Sequence, residues 1–274
     1  MSTNGSTLRG SGLRERYGEW ALVTGASAGI GLEFARAFAR AGLSCVLAAR
    51  REDRLKALGD ELSKAHGIQT RAVAVDLAAQ DGADKLADAV ADLPIGILVN
   101  NAGFGYAGRF DKLETDRLRA MVMVNCVTPV VLTSRILPAM VKRGRGAVII
   151  VGSVAGRQPL PLHAVYSATK AFDLFLGEGL WAELQGTGID ALCIEPGPTA
   201  TEFQSVAGEQ VGPNHGEPAE NVVAIALEAL GKHPSVVSGW FNYVRANLAR
   251  FLPRSTVALI ARRVVAGQTP PELR

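Results

Sequence analysis

The stretch "WALVTGASAGIGLEFARAFAR" (20–40) decides the fold. It opens on a short apolar run and ends with Leu32, Phe34, Ala35, Phe38 and Ala39 at helical spacing. Between the two stand Gly25, Gly29 and Gly31, spaced G-x-x-x-G-x-G. The literal dinucleotide fingerprint G-x-G-x-x-G is not met, because Phe34 stands where its last glycine would be. The physics is the same: without Cβ atoms the backbone can turn tightly and approach a pyrophosphate, whose charge sits at a helix N-terminus. Three glycines alone suit a turn without a ligand equally well. Their place after the first strand of a parallel sheet favours a nucleotide.

Further apolar runs follow at 44–50, 70–76, 95–101, 146–153, 189–197 and, shorter, at 234–239. Helical patterns separate them. Strands that alternate with helices imply a parallel sheet covered on both faces, and the near-continuous apolar character of the runs agrees. Right-handed crossovers then predict an α/β doubly wound parallel sheet, a Rossmann fold, in a single domain of about seven strands. Ligands of such sheets bind beyond the carboxyl ends of the strands, so the chemistry-bearing residues are expected just after each run.

The 274 residues carry 20% charged side chains and a net charge of +3, spread along the chain. Nothing there points to nucleic acid. Cys45, Cys126 and Cys193 sit in apolar runs without CxxC pairing, which suits buried thiols in a reducing, cytoplasmic compartment. The four histidines lack ligand spacing, so no metal is expected. Residues 1–17 are polar and rich in Gly and Ser and are read as a flexible tail, ahead of a catalytic domain at 18–239. No uninterrupted apolar run reaches the roughly 18 residues of a membrane span. Residues 240–274 form a basic extension, with Trp240, Phe241, Val244, Leu248, Phe251 and Leu252 as an apolar stripe and Arg245, Arg250, Arg254, Arg262 and Arg263 as charge. Such a helix can pack on its own domain, on a sister subunit or peripherally on an anionic membrane; packing on the domain or a sister subunit is the plainer expectation, where it would cover the substrate pocket or the oligomer interface.

A site for NAD usually places a carboxylate about 20 residues beyond the glycine turn, on the ribose 2′-hydroxyl. Here the second run ends in "AARRED", with Arg50 and Arg51 at that place. A guanidinium pairs bidentately with a 2′-phosphate, so NADP(H) is expected in preference to NAD(H). Asp76 follows the third run, and Asn100, Asn101, Ala102 and Gly103 follow the fourth. In "HAVYSATKAF" (163–172), Tyr166 and Lys170 are four residues apart and share one helix face. A free phenol has a pKa of about 10, and a neighbouring ammonium is expected to lower it toward the working pH.

Together "TGASAGIG" (24–31), "NNAG" (100–103), Asn125, Ser153, "YSATK" (166–170) and "PGPTATEF" (196–203) resemble the classical short-chain dehydrogenases/reductases, over roughly residues 18 to 240. The resemblance implies a catalytic tetrad of Asn125, Ser153, Tyr166 and Lys170. Tyr166 would exchange the proton, Ser153 would hold the substrate oxygen, Lys170 the nicotinamide ribose, and Asn125 a water. It implies a cofactor held by Gly25, Ser27, Gly29, Ile30, Gly31, Arg50, Arg51, Asp76, Leu77, Asn101, Ala102, Gly103, Tyr166, Lys170, Pro196, Gly197, Thr199 and Thr201. It also implies a lid after Pro196 and a homodimer or homotetramer.

The substrate-facing positions are expected at Phe104, Tyr106, Val154, Ala155, Pro159, Leu160, Leu162, His163 and Phe203, with Arg157 as a polar exception. Most are apolar, which points to a hydrophobic, lipid-like carbonyl or secondary alcohol. The alternatives are an NADP-binding redox sensor or scaffold without turnover, and an epimerase or dehydratase of the related extended family.

Overall fold

In the computed structural model the described residues are 12–209, 216–248 and 251–274. The strands are β1 (Trp20–Thr24), β2 (Ser44–Ala49), β3 (Thr70–Ala74), β4 (Ile95–Asn100), β5 (Gly146–Val151), β6 (Ile189–Glu195) and β7 (Ser235–Val237). The helices are α1 (Gly12–Tyr17), α2 (Gly29–Arg40), α3 (Glu52–His66), α4 (Gly82–Ala89), α5 (Thr115–Val122), α6 (Thr128–Arg143), α7 (Ala164–Glu183), α8 (Phe203–Ala207), α9 (Ala219–Ala229), α10 (Trp240–Leu248) and α11 (Arg254–Ala266). Each expected strand is present and ends slightly earlier than its apolar run.

The seven strands form one sheet in the order β3-β2-β1-β4-β5-β6-β7, parallel throughout. Every residue of β1, β4 and β5 is buried. Their side chains alternate between two cores: β5 sends Ala147 and Ile149 to one face, Val148 and Ile150 to the other. The first core receives Phe34 and Phe38 of α2, Leu55, Leu58 and Leu62 of α3, and Val222 and Val223 of α9. The second receives Leu86 of α4 and Leu132, Ile136 and Met140 of α6. Burying each such side chain contributes about 1.5–3 kcal/mol relative to exposure. β3 and β7, the two edges of the sheet, depart from the continuous burial and are partly exposed.

The strand order reverses between β1 and β4, so the crevice of the doubly wound sheet opens above their carboxyl ends. α5 and α6 form one long helix interrupted by a π turn at Met123–Val127. This 29-residue helix, Thr115–Arg143, is long and apolar enough by composition to cross a membrane. Here it lies on the sheet, with Leu132, Ile136 and Met140 in the core.

The expected tail is shorter than 1–17. Residues 1–11 lie outside the described residues, but Gly12–Tyr17 is a helix, with Leu13 and Tyr17 buried. Tyr17 donates a hydrogen bond to Asp190 Oδ2 of β6 at 2.7 Å, and Arg16 reaches the same oxygen at 2.7 Å. Two apolar anchors and a shared carboxylate outweigh the polar composition of the segment. The apolar stripe of the extension also differs from expectation. Trp240, Phe241 and Phe251 are 78%, 70% and 85% exposed, and the residues buried in α10 and α11 are the small or β-branched Ala246, Val257, Ala261 and Val265. Close approach of the helices to the domain selects the small side chains. Arg250 and the side chain of Arg245 lie outside the described residues.

Tyr17→Ala removes a fully buried ring and leaves Asp190 without its phenol, so it is expected to cost about 3–5 kcal/mol of stability. Urea denaturation reads this as a lower midpoint; an unchanged midpoint would return residues 12–17 to the status of a tail.

Candidate active site

A cleft of about 760 Å³ runs over the carboxyl ends of the strands. One end is built from the glycine turn. Gly25 and Gly29 have φ of +68° and +57°, a region that side chains rarely adopt. A Cβ on Gly25 would stand 2.7 Å from Asn101 Nδ2, and one on Gly29 would stand 2.9 Å from Thr201 Cγ2. Gly31 does not line the cleft, contrary to expectation. Its Cβ would meet the Gly25 carbonyl and Asn101 Nδ2, each at 2.5 Å, so it lets α2 pack against the β4 turn. Asn101 Nδ2 donates to Thr24 O at 2.8 Å, joining the turns after β1 and β4. Asn100 points away and donates to Thr133 Oγ1 at 3.2 Å.

α2 is capped at its N-terminus by Ala28, whose side chain cannot bond the first N–H groups, so these can meet an anion at the cleft wall. Beside it Arg51 places Nε and Nη2 on Ser27 Oγ at 3.3 and 3.0 Å. Its Nη1 pairs with Glu202 Oε2 at 2.8 Å, and Arg54 holds Glu202 Oε1 at 2.8 Å. Hydrogen bonds from Arg54 and Arg51 hold the Glu202 carboxyl below its usual range. Glu202 leads into α8, so an anion of the chain itself stands where the sequence suggested a 2′-phosphate. Asp76, Leu77, Ile30, Ala102, Gly103, Pro196, Gly197, Thr199, Thr201 and the exposed Arg50 complete this part of the lining. Gln204 Oε1, a buried acceptor on the same wall, has no partner among the described residues. An uncapped helix, a guanidinium pair already holding an anion, and an orphaned acceptor fit a phosphorylated dinucleotide.

At the centre, Tyr166, Lys170 and Ser153 line the cleft together. The helical period brings Tyr166 and Lys170 onto one face of α7, and β5 ends two residues before Ser153. Lys170 is buried, and its Nζ donates to Val151 O and to Asp173 Oδ2, each at 2.8 Å. Burial works against its charge, yet Asp173 and the Tyr166 phenol more than compensate and raise its pKa. The Tyr166 pKa is raised, not lowered. Burial dominates, and the opposing pull of Lys170 and of the Ser153 hydrogen bond is incomplete. Ser153 Oγ accepts from Ala155 N at 3.1 Å and donates to Pro196 O at 3.3 Å, a long bond that a substrate oxygen can replace.

Asn125 is buried in the π turn and does not line the cleft. Its Nδ2 donates to Phe104 O at 3.1 Å and Thr169 Oγ1 at 3.0 Å, and its Oδ1 accepts from Phe104 N at 3.1 Å. It therefore clamps the β4 loop beside Gly103, where a Cβ would crowd Asn125 Oδ1 at 3.1 Å.

The other end of the cleft is apolar. Phe104, Val154, Ala155, Leu160 and Phe203 line it as expected. The Phe203 ring packs on that of Tyr166 at 5.4 Å. Tyr106, Pro159, Leu162 and His163 do not line it. Tyr106 lies under the Arg117 guanidinium at 4.2 Å, and Leu162 faces a separate depression. His163 is buried beside α7, where desolvation lowers its pKa to about 4. Arg157 is spent on the fully buried Glu195, at 2.6 and 2.5 Å, and holds no substrate group. The extension walls the cleft through Leu248, Leu252, Ile260 and Val264, while sequence reasoning missed Asp173 and Glu202. Only Asp173 had a signal, its i+3 spacing from Lys170 on a helix.

Comparison with known proteins agrees with this geometry. The family model described as short chain dehydrogenase matches residues 19–212. The very-long-chain 3-oxoacyl-CoA reductase of Rattus norvegicus is 32% identical over 244 residues, covering 87% of this chain and 77% of the relative. The 7beta-hydroxysteroid dehydrogenase of Mediterraneibacter gnavus is 34% identical over 237 residues, covering 84% and 89%. A structure of a 7beta-hydroxysteroid dehydrogenase, solved to study stereoselectivity, superposes with a TM-score of 0.85 at 30% identity, covering 91% of this chain and 98% of the other. A short-chain dehydrogenase from Sphingobium yanoikuyae in complex with NADPH superposes with a TM-score of 0.75 at 30% identity, covering 86% and 97%.

Replacing Arg157 by Met strands the Glu195 carboxylate and is expected to cost about 3–5 kcal/mol near neutrality. Burial already raises the Glu195 pKa, so the folded variant binds a proton more readily than the unfolded chain. Stability should therefore return as pH falls through the folded pKa, fully so below the unfolded value. Thermal melts across pH test this; a loss that does not shrink in acid would refute it.

Proposed function

The chain belongs to the short-chain dehydrogenases, oxidoreductases acting on CH–OH groups, and from that membership we propose an NADP-dependent enzyme that interconverts a hydrophobic, lipid-like ketone and its secondary alcohol. The observation that carries the reading is the meeting of Tyr166, Lys170 and Ser153 in one cleft, between an anion-binding end and an apolar end.

When bound, the nicotinamide cofactor supplies or accepts the hydride at the substrate carbon. The chain's own residues manage the oxygen. Tyr166 gives its phenolic proton to the carbonyl oxygen in reduction and takes the hydroxyl proton in oxidation. Ser153 releases Pro196 O and donates to the same oxygen, a bond that strengthens as charge develops there. Lys170 holds a positive charge beside the phenol. Asn125 keeps the β4 loop in place from behind. Phe203 on the Tyr166 ring helps exclude water from the proton transfer.

The preference for NADP rests on Arg51 and Arg54, which release Glu202 for the 2′-phosphate. The substrate class rests on the apolar wall, to which the lid and the extension both contribute. It accords with relatives named for very-long-chain 3-oxoacyl-CoA and for a 7beta-hydroxysteroid.

A panel of ketones assayed with NADPH and NADH tests both halves. Turnover should favour NADPH and rise with apolar bulk; equal use of NADH, or a preference for small polar ketones, would refute the corresponding half. Arg51→Ala should weaken NADPH binding by about 10–100-fold, the value of a charge-assisted contact, with little change for NADH. Tyr166→Phe should lower kcat by about 10²–10⁴-fold while NADPH affinity stays close to the parent's. Retained turnover would remove Tyr166 from the proton path.

A further inference from the structure

We propose that the depression separated from the cleft by α11 is a second binding site, for an amphipathic carboxylate of the fatty-acid type. Its volume is about 510 Å³, within the range of small-molecule pockets, and Arg109, Phe110, Leu162, Val165, Arg262 and Arg274 are part of its lining. Every polar side chain in that lining is a guanidinium, and the rest is apolar or glycine. Phe110 is 63% exposed, an aromatic face that an apolar ligand body would cover. Arg262 is exposed and has no hydrogen bond or ion pair among the described residues. Arg274 uses its Nε on Thr269 O at 2.8 Å and keeps its terminal amino groups for another partner. Arg109 is the partly neutralised member, with Nε and Nη2 on Asp111 at 2.6 Å each. Three cations against one carboxylate leave an excess of positive charge in an apolar hollow. The bidentate match of guanidinium to carboxylate selects the head group. A bare inorganic anion would leave the apolar walls uncovered, and an uncharged lipid would leave the guanidinium groups unmatched.

Segments distant in sequence are tied together around this hollow. Gly108 N donates to Leu162 O at 2.8 Å, and Arg109 N donates to Leu273 O at 2.7 Å. Lys112 Nζ donates to Glu272 O at 2.8 Å and to Arg274 O at 2.9 Å, which holds residues 272–274 against the turn that carries Phe110. Leu162 is held at φ +67°, alone among the described residues other than glycine. A left-handed conformation costs a residue with a Cβ about 1–2 kcal/mol. Such strain persists where the surroundings fix it, and it gathers at ligand sites. On α11 the helical period sends Ile260, Ala261 and Val264 to the cleft, and Arg262 and Ala266 to the depression. An occupant of the depression therefore braces the helix that walls the cleft. The two linings share no residue, so this site does not depend on the oxidoreductase reading.

Dodecanoic acid carrying a diazirine at its tail tests the site on the full chain, below its micelle concentration, with the photolabel located by peptide mass spectrometry. Label should fall on Phe110, Leu113 or Ala266. The matching dodecanol probe should label those positions about 10–100-fold less, the value of a charge-assisted contact. Inorganic phosphate at the same concentration should not displace the acid. At subsaturating probe, Arg262→Gln should lower the labelling by about 10–100-fold, and Arg262→Lys should retain part of it. Arg262 does not line the cleft, so the NADPH affinity of Arg262→Gln should equal the parent's. Dodecanoic acid should also slow amide exchange across α11 in the parent and not in Arg262→Gln. Labelling confined to cleft residues such as Val154 and Phe203 would overturn the inference. So would equal labelling by the alcohol, displacement by phosphate, or unchanged labelling in a folded Arg262→Gln. Were that variant not to fold, Arg274→Gln gives the same reading.

Discussion

An ammonium taken out of water has to find acceptors, and at Lys170 that requirement ties the site together. Val151 O comes from the end of β5 and Asp173 Oδ2 from the next turn of α7, so the buried charge pins the helix to the strand end. The same contact fixes the height of Tyr166 above the sheet, since the phenol lies one turn earlier on the same face. Ser153 is two residues beyond Val151, and its hydroxyl influences the phenol from the other side. The loop after β4 completes the enclosure: a Cβ on Gly103 would press on Asn125 Oδ1 at 3.1 Å.

A second constraint is the close approach between the turns after β1 and β4. Gly25 and Gly31 admit the Asn101 amide, which donates to Thr24 O and holds the crevice edges at a set separation. Gly29 stands free of that contact and meets Thr201, just ahead of α8. The segment 201–203 that leads into α8 is thus held at three chemically different places. Thr201 rests on Gly29, Glu202 on Arg51 and Arg54, and Phe203 on the Tyr166 ring. The exposed ion pairs contribute little to stability, typically up to about 1 kcal/mol each, which suits contacts that must exchange for a ligand.

What was legible in the sequence was whatever repeats with a local period or sits at a strand end. The seven runs, the glycine turn, the Tyr166/Lys170 spacing and Ser153 all reappear where they were expected. Local pattern misled where a distant partner decided. Polar residues 12–17 read as a tail because Asp190, which receives Tyr17, is 173 positions away. Arg157 read as a ligand for substrate because its partner Glu195 lies 38 positions on. Gly31 read as a phosphate contact, although its neighbours are Gly25 O and Asn101. The phenol read as acidified because a lysine is visible in sequence and burial is not.

The sequence by itself determined the order of strands and helices, the edge of the sheet where chemistry would gather, and which side chains could exchange a proton. These follow from periodicity and turn chemistry, which act over a few residues. Tertiary structure alone decided the protonation balance at Tyr166, the partner of each arginine and the composition of the apolar wall. Desolvation and ion pairing depend on what surrounds a group in space. Here Glu202, Glu195 and the helices after residue 240 arrive from parts of the chain that no local pattern connects to the cleft.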